Sequence, residues 1–477
     1  MLYTHVADRI EALIRGGALR PGDRVPSVRK LSEQQDVSIS TAVQAYRVLE
    51  DKGLVEARPQ SGYYVRARAS APSLEPSLVS MDSPPVRVET AAATLRMFAA
   101  EKRGSLAPLA SALPSPELFP TQGLTRALAR AARDLGPAMH SYEYSPGSLP
   151  LRREIARRGL ESGCALVPDE IVITNGALEA LNVCLRAVAQ PGDVVAIESP
   201  TYFGILQVME SLGLRALEIP MHPRDGMDLA ALEAALEHKR VQAIVAIPAF
   251  NNPLGSQMPD ANKERLVALA ARYGVPLIED DVYGDLPVSG ERPRAARSFD
   301  QTGNVLLVSG FSKSFSPGAR VGWVAPGRYF EEVKTLKFMT NIATPTVLQA
   351  AVADFLHSGA HDRHLRRLRA HFARQVEQVS DAVAHAFPAG TRLSQPRGGY
   401  VLWVELPAHL DTLALHDRAA ERHVGFAPGP MFSPRGAFRN CLRLNCGYPF
   451  TERTAEAIGV LGQLAQSAAI EVVQSQR

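Results

Sequence analysis

Between residues 171 and 309 the sequence alternates short apolar runs with longer stretches of helical period. The apolar runs occupy residues 171–174, 193–197, 242–247, 275–279 and 305–309. Strands that alternate with helices form a mostly parallel sheet with helices on both faces, because each parallel neighbour needs a crossover connection. The pattern predicts an α/β body, and the polar residues that follow its strands are the candidates for a functional site.

The most informative polar segment follows the last apolar run and reads SGFSKSFSPGARVGW from Ser309 to Trp323. The amine of Lys313 can form a Schiff base with an aldehyde, and the guanidinium of Arg320 can bind a phosphate through two hydrogen bonds. An aldehyde and a phosphate are the two ends of pyridoxal phosphate. A Ser-x-Lys turn alone is equally typical of a solvated loop, but the Pro-Gly-x-Arg-x-Gly continuation favours this cofactor.

Pyridoxal phosphate withdraws electrons only while its ring nitrogen stays protonated, so a carboxylate must lie beside that nitrogen. Asp280 ends the apolar run PLIE and is the candidate, with Asp281 as the alternative. Tyr283 and Asn252 each follow a predicted strand and can donate to the phenolic oxygen of the ring. These residues predict the ring end of the site.

The phosphate end has its own candidates. Asn175, Gly176 and Ala177 join a predicted strand to a predicted helix, where free backbone N–H groups favour an anion. Tyr202, in the segment ESPTY, offers a flat face on which the ring can stack. Asn-Gly and Asn-Pro also mark ordinary turns, so it is the joint order of these segments that carries the prediction.

These motifs, from about residue 107 to about residue 466, resemble a fold-type I aminotransferase. The resemblance implies the roles given above, with Lys313 as the Schiff-base lysine, and adds two residues. Arg443, in CLRLN, matches the arginine that grips a substrate carboxylate, for which a planar guanidinium is suited. Tyr144, or alternatively Tyr142, matches the tyrosine lent to the phosphate site of a neighbouring subunit.

One position departs from many members of that family. Gly310 stands three residues before the lysine, where a hydroxyl residue is common. We expect Ser309 or Ser312 to replace the missing hydrogen bond to the phosphate.

The first 66 residues have a different pattern. Apolar spacing predicts a helix over Tyr3–Gly16, a second helix capped by Ser27, and a third that begins near Ser38. Residues 54–58 and 63–66 then read as a β-hairpin. Three helices followed by a hairpin predict a winged helix-turn-helix, whose third helix enters the major groove of DNA.

The segments PGDRVPSVRKL, SISTAVQAY and QSGY are similar to those of the GntR family of bacterial regulators. The resemblance implies that the residues near DNA are Arg29, Ser38, Ser40, Thr41 and Gly62. Ile39 and Val43 stand where family members often have arginines, so hydroxyls and Gln44 are expected to read the bases. We interpret Arg58, like Arg29, as a phosphate contact.

Composition sets the predicted boundaries. Residues 1–68 hold 11 Lys and Arg against 8 Asp and Glu, whereas the rest of the chain is balanced at 41 each, out of totals of 52 and 49. Residues 69–85 contain four prolines and five serines, too little apolar surface to bury anything. The prediction is a DNA-binding domain at 1–68, a linker at 69–86 and an aminotransferase-like domain at 87–470. The Arg- and His-rich run 361–369 is interpreted as a solvated helix face in preference to a nucleic-acid site.

Four cysteines form no CxxC pair, so neither a zinc site nor a disulfide framework is expected and no metal is predicted. No apolar run approaches the length of a membrane span, and the start of the chain lacks the pattern of a signal peptide. We expect a cytoplasmic bacterial protein without a membrane partner.

A GntR-like head, a linker and an aminotransferase-like body together resemble the MocR class of transcriptional regulators. The resemblance implies a homodimer, arranged head to tail, that binds operator DNA and senses an amino compound through pyridoxal phosphate. The alternative is a working aminotransferase with a secondary DNA-binding domain. A plain GntR repressor is disfavoured because Lys313, Asp280 and Arg443 are all present.

Overall fold

The computed structural model describes residues 2–15, 19, 22–51, 54–58, 62–65, 74–77, 84–90, 107–238 and 241–475. The chain divides into two compact units, Met1–Pro72 and Ser73–Arg477. Within the described residues, no helix is both long enough and apolar enough to cross a membrane.

The first unit contains three helices and a hairpin, as predicted. Its elements are α1 (Leu2–Arg15), α2 (Val28–Gln35), α3 (Ile39–Asp51), β1 (Val55–Arg58) and β2 (Gly62–Val65). The strands β1 and β2 pair antiparallel, with Val55 opposite Val65. One residue from each of the three helices, Ile10, Leu31 and Leu49, packs with these two valines in a single core. This is the winged helix-turn-helix fold that the sequence predicts.

The second unit combines helices with two sheets. Its helices are α4 (Thr121–Leu135), α5 (Leu149–Gly159), α6 (Ala177–Val188), α7 (Phe203–Ser211), α8 (Leu229–His238), α9 (Asp260–Arg272), α10 (Phe330–Asn341), α11 (Thr346–His357), α12 (Ala360–Ala386), α13 (Thr412–Glu421) and α14 (Glu452–Ser475). Its strands are β3 (Val86–Arg87), β4 (Val172–Thr174), β5 (Val194–Ser199), β6 (Arg215–His222), β7 (Gly226–Met227), β8 (Ala243–Ala246), β9 (Leu277–Asp280), β10 (Val305–Gly310), β11 (Gly322–Ala325), β12 (Arg392–Leu393), β13 (Val401–Glu405), β14 (Ala427–Pro428) and β15 (Cys441–Asn445).

The described strands of the larger sheet are ordered β3-β6-β5-β8-β9-β10-β11-β4, with β7 paired to β6. The central run from β6 to β10 is parallel, while β11 pairs antiparallel with both β10 and β4. The predicted mostly parallel sheet is therefore confirmed. The carboxyl ends of β5, β8, β9 and β10 meet at one edge, which is where ligands bind to open α/β sheets.

Both faces of this sheet are covered by helices. Ile244 and Leu277 pack on one side with residues of α8 and α9, while Val245 and Ile278 pack on the other with residues of α6 and α7. Successive side chains of a strand point to opposite faces, so a strand buried on both faces must be apolar throughout. This requirement explains the continuous apolar runs in the sequence.

The smaller sheet is antiparallel in the order β12-β13-β15-β14. Its apolar face packs against α12 and α14, through contacts such as those of Leu442 with Phe372 and Leu461 in one core. The sheet places Arg443, in the middle of β15, beside the larger sheet.

Part of the predicted linker binds to the second unit, so the expectation that residues 69–85 bury nothing is wrong for this part. We call residues 74–77 the strap. The Leu74 carbonyl accepts from Leu393 N at 3.0 Å, the Glu75 carboxylate accepts from Arg224 Nε at 2.7 Å, and Pro76 is buried. Backbone groups and a charge bind this segment, which is why its low apolar content did not predict it.

Candidate functional site

A cavity of about 230 Å³ opens where β8, β9 and β10 end. It is lined by eight of the predicted site residues: Ala177, Tyr202, Asn252, Asp280, Tyr283, Ser312, Lys313 and Arg320. Leu178 and Leu181 of α6 and Ile247 after β8 add apolar walls. The structure thus brings together residues separated by up to 143 positions in the sequence, through the convergence of strand ends.

Lys313 lies in a tight turn that follows β10. The turn is closed by hydrogen bonds from the N–H groups of Phe315 and Ser316 to the Phe311 carbonyl, at 2.9 and 3.0 Å. The amine of Lys313 is held in the cavity by a 2.9 Å hydrogen bond to the Ala112 carbonyl. Burial lowers the pKa of Lys313 to about 8, and the nearby cation Arg443 acts in the same direction. A larger share of this amine is therefore neutral and nucleophilic at neutral pH than of an exposed lysine.

Asp280 and Asp281 have different surroundings. Asp280 lines the cavity together with Lys313, and burial raises its pKa to about 7. Asp281 is ion-paired with Arg292, and its backbone carbonyl accepts from the Ser309 hydroxyl at 3.0 Å. Because a neighbouring cation lowers the pKa of a carboxyl group, a ring nitrogen beside Asp280 favours the carboxylate form. The geometry favours Asp280 over Asp281 as the partner of such a nitrogen.

The opposite end of the cavity combines a guanidinium with a helix N-terminus. Arg320 donates from Nη2 to the Asn175 carbonyl at 2.8 Å, and its Nη1 lies 3.5 Å from the Ser312 hydroxyl. Gly176 precedes α6 with φ of +86°, and a Cβ there would lie 2.5 Å from Arg320 Nη2. Only glycine satisfies both the backbone angle and the close approach. The N–H of Ala177 begins α6, so this end favours an anion.

Gly310 is explained by the packing of the same turn. A Cβ on Gly310 would lie 3.3 Å from the Gly322 Cα and 3.4 Å from the Ala177 N. The adjacent β11 leaves even less room, since a Cβ on Gly322 would lie 2.5 Å from the Gly176 carbonyl carbon. Of the two serines expected to compensate, Ser312 reaches the cavity whereas Ser309 is bonded to Asp281.

Three residues surround the middle of the cavity. Tyr202 and Tyr283 line it from the ends of β5 and β9, and Asn252 lines it from the loop after β8. Burial raises the pKa of both tyrosines, so their hydroxyls stay protonated and can donate hydrogen bonds. These residues offer flat faces and donors to an aromatic ligand.

Arg443 connects the two sheets beside the cavity. Its side chain is fully buried on β15 and donates from Nη1 to Asn252 Oδ1 at 3.3 Å. A second donation, from Nη2, goes to the Ala110 carbonyl. The guanidinium also lies 5.3 Å from the ring centre of Phe432. A buried guanidinium beside an amine and an amide is suited to a carboxylate ligand.

Tyr144 does not line the cavity of its own chain. It is 57% exposed, and its ring lies 6.1 Å from that of Phe338. Phe338, Met339 and Ile342 at the end of α10 are also exposed. Together with Tyr142 these residues form an apolar surface, which we call the α10 surface.

Two contributors to the cavity were not predicted. The segment 107–115 supplies the carbonyls that bind Lys313 and Arg443, and any residue type can supply a backbone carbonyl. The Tyr400 hydroxyl also donates to the Ala112 carbonyl, at 3.2 Å, and its ring lies 5.6 Å from that of Tyr283. The sequence signal for Tyr400 was the Gly-Gly pair before a strand, where Gly399 has φ of +71°.

The first unit carries the predicted DNA-contacting residues on its surface. Ser38 caps α3 by accepting from the Thr41 N–H at 3.1 Å, and its hydroxyl lies 2.8 Å from that of Ser40. Ser38, Ser40 and Gln44 are exposed, and Thr41 is half-buried. The first turn of α3 therefore presents hydroxyls and an amide to solvent.

The remaining candidates lie on α2 and the hairpin. Arg29 is exposed on α2. Arg58 ends β1, and its side chain lies outside the described residues. Gly62 begins β2 with φ of +106°, which favours glycine at this turn. Tyr46 of α3 stacks on Tyr63 of β2 at 4.5 Å, so the hairpin is fixed to the third helix.

Two family profiles match the chain. The profile of bacterial regulatory proteins of the gntR family matches residues 2–65, and that of class I and II aminotransferases matches residues 118–459. The chain is 38% identical over 461 residues to the uncharacterized HTH-type transcriptional regulator YjiR of Escherichia coli K12, which covers 97% of this chain and 98% of that protein. The chain belongs to the MocR-type regulators. A further relative, the uncharacterized HTH-type transcriptional regulator YdcR of the same organism, is 39% identical over 464 residues, with 97% and 99% covered.

A solved structure resembles the second unit of this MocR-type chain. It is LysN, the α-aminoadipate aminotransferase of Thermus thermophilus, with a TM-score of 0.73 and 30% identity over 78% of this chain and 95% of that one. LysN was solved in complex with N-(5'-phosphopyridoxyl)-L-leucine. The present cavity fits such a group, because an anion-favouring end, a buried amine and a buried carboxyl are placed in one space.

Proposed function

We propose that this MocR-type regulator binds pyridoxal phosphate in its second unit and uses it to sense an amino compound, which changes how the first unit binds operator DNA. The cavity supports this because Lys313, Asp280 and Arg320 line it together. Bound pyridoxal phosphate supplies an aldehyde carbon that an amine can attack and a ring that withdraws electrons. Lys313 would hold the aldehyde end, Asp280 the ring nitrogen, and Arg320 with the start of α6 the phosphate.

The observation that carries the sensing proposal is the position of Arg443. It lies on the four-stranded sheet, whereas Lys313 and Asp280 lie at the edge of the nine-stranded sheet. An amino acid held by its carboxylate at Arg443 and by its amine near Lys313 would bind to both sheets at once. Such a ligand favours one spacing of the sheets, and a ligand shifts a conformational equilibrium only through unequal affinity for its states.

DNA binding would be performed by the first unit. The exposed Ser38, Ser40 and Gln44 at the start of α3 suit contacts in the major groove, and Arg29 suits a phosphate. Because DNA and metabolic amino compounds meet in the cytoplasm, we place the regulator there.

We infer that two copies form the functional unit, arranged head to tail. The α10 surface supports this, because it exposes Tyr144 beside Phe338, Met339 and Ile342. Contiguous exposed apolar side chains of this kind mark protein interfaces. Tyr144 would then reach the phosphate end of the partner's cavity.

A second candidate function is transamination. The observation that favours it is the intact set of three residues: Lys313 and Asp280 line one cavity, and Arg443 is bonded to Asn252 of the same cavity. A pure sensor needs the ligand to bind but does not need its turnover.

One experiment separates the two functions. The full-length protein is loaded with pyridoxal phosphate, and each member of a panel of amino acids is added. Three quantities are measured: the visible spectrum, the amount of 2-oxo acid product, and the affinity for a DNA duplex selected from a random library. A regulator changes its spectrum and its DNA affinity with the same amino compound. Turnover at ordinary enzymatic rates without any change in DNA affinity would replace the sensor with an aminotransferase.

A further inference from the structure

A large groove on the outer surface of the second unit is separate from the cofactor cavity. It encloses about 880 Å³ between the start of α4 and the first half of α12. Its lining includes four arginines, Arg126, Arg363, Arg367 and Arg374, and a single carboxylate, Glu117. We call this groove, with its four arginines, the basic groove.

Within the described part of the chain, the three groove arginines of α12 form no ion pair. Arg363, Arg367 and Arg374 are exposed, and among the described residues no ion pair occupies them. Some exposed arginines elsewhere on this unit are paired, such as Arg265 and Arg272, which both bind Glu233. Arg363 and Arg367 are four residues apart on one helix face, where like charges repel each other. An anion placed in the groove would relieve that repulsion.

The histidines of the same helix face make the groove more than a solvated surface. His364 is buried and His371 half-buried, and both line the groove. Among the described residues, the Nε2 atom of each has no hydrogen-bond partner. The expectation that residues 361–369 form only a solvated face is therefore wrong for His361 and His364, which are buried. Burial lowers the pKa of both rings, so they are neutral at neutral pH and the arginines carry the positive charge of the groove.

The length of the basic groove favours an extended anion. Arg363 and Arg374 are eleven residues apart on α12, or about 16 Å at the rise of an α-helix. Duplex DNA carries one negative charge per roughly 1.7 Å of its axis, so a surface of this length can face several phosphates. A single small phosphate ester spans only a fraction of that distance.

We propose that the basic groove binds the phosphate backbone of duplex DNA, as a second and sequence-independent contact beside that of the first unit. The inference rests on the proposed DNA binding by the first unit, because that binding raises the local concentration of duplex around the groove. Phosphate contacts position a protein on DNA without reading bases, which agrees with a surface whose charged residues are four arginines and one glutamate.

The test uses full-length protein loaded with pyridoxal phosphate and a 60-base-pair duplex that contains a sequence selected by the wild type. The groove variant carries Arg363→Ala, Arg367→Ala and Arg374→Ala. The matched control carries Arg265→Ala, Arg272→Ala and Arg418→Ala, which remove the same charge from solvent-accessible positions that have carboxylate partners. Each lost phosphate contact shallows the slope of log affinity against log salt by about 0.9. The groove variant is expected to lose about 2 to 3 units of slope, whereas the control keeps the wild-type slope.

Equal slopes for the groove variant and the wild type would overturn the proposal, as would equal losses of slope in the groove variant and the control.

Calorimetry with inorganic pyrophosphate tests for a small ligand. Binding by the wild type but not by the groove variant, with unchanged salt slopes, would assign the groove to a small phosphate ligand instead. Sedimentation without DNA completes the test, since a change of oligomeric state in the groove variant would assign the groove to a second copy of the chain. The cofactor spectrum reports folding of each variant. If the wild type itself binds no duplex, it is the proposed function that fails.

Discussion

Arg443 of the four-stranded sheet and Asn252, on the loop that follows β8 of the nine-stranded sheet, are joined by a 3.3 Å hydrogen bond although 191 positions separate them. Asn252 lines the cofactor cavity and Arg443 lies directly beside it, so a carboxylate that binds to Arg443 can also accept from the amide of Asn252. A ligand at this position therefore contacts both sheets.

Replacing Arg443 by alanine should abolish sensing but not cofactor binding, because its guanidinium lies beside Asn252 and not at the phosphate end, which Arg320 occupies. Allosteric coupling of typical strength changes DNA affinity by about 5- to 150-fold, and we expect that change to vanish in Arg443→Ala. The measurement is DNA affinity with and without the active amino acid. Arg439→Ala, an exposed arginine paired with Asp411, is the control and should keep the response. A retained response in Arg443→Ala would move the carboxylate contact elsewhere.

Covalent attachment of pyridoxal phosphate should need Lys313 and should accelerate as pH rises through about 8. Burial lowers the pKa of Lys313 to about 8, whereas an ordinary lysine has a pKa near 10.4. Only the neutral amine attacks, so the attachment rate follows its deprotonated fraction. Stopped-flow absorbance of the apo protein mixed with cofactor gives the profile. Lys313→Arg keeps the positive charge and should show no borohydride-reducible bond to the cofactor. An attachment rate of the wild type that still rises at pH 10 would contradict the lowered pKa of Lys313.

The two adjacent aspartates should respond to substitution in different ways. Asp280→Asn removes the carboxyl of the cavity, so we expect an altered cofactor spectrum and slower reaction with amino acids. Asp281→Asn breaks the buried ion pair with Arg292, so we expect a loss of about 3–5 kcal/mol of stability instead. Thermal unfolding and visible spectra of both variants test the contrast. Exchanged phenotypes would assign the ring nitrogen to Asp281.

DNA affinity should depend on Arg29 and Arg58 in a sequence-independent manner. If both contact phosphates, Arg29→Ala with Arg58→Ala shallows the slope of log affinity against log salt by about 2 units. The loss should be equal for selected and random duplexes, since phosphates carry no base information. Fluorescence anisotropy at several salt concentrations measures it. A loss confined to the selected duplex would identify base readers.

His361 should make the protein sensitive to acid. Burial and the charge of Arg158 lower its pKa to about 3, so between pH 6.5 and pH 3 the unfolded chain binds more protons than the folded one. Stability therefore falls as pH decreases across this window. At pH 5 the effect amounts to about 2 kcal/mol, at about 1.4 kcal/mol per pH unit below 6.5. His361→Leu should lose less thermal stability between pH 7 and pH 5 than the wild type, whereas His238→Leu, at an exposed helix end, should match the wild type.

The central sheet could be predicted because strands such as β8 and β9, buried on both faces, must be continuously apolar. The residues of the candidate site were found because a reactive amine, a carboxyl and a guanidinium are chemically distinctive, as in Lys313, Asp280 and Arg443. Carbonyls such as that of Ala112 could not be found, since every residue has one. The strap was missed for a related reason: its partners Arg224 and Glu405 are ordinary charged residues far away in the sequence.

The strap also has a consequence for movement within the second unit. Glu75 binds Arg224 beside the nine-stranded sheet, while Ser77 donates from its N–H to Glu405 of the four-stranded sheet at 2.6 Å. The strap therefore forms one contact beside each of the two sheets and links them. A movement that separates the two sheets at this point would strain these two contacts. Each of these two contacts has a carboxylate acceptor, so added salt screens and weakens both of them. The stiffness of the second unit between its two sheets therefore depends on ionic strength even when no DNA is bound.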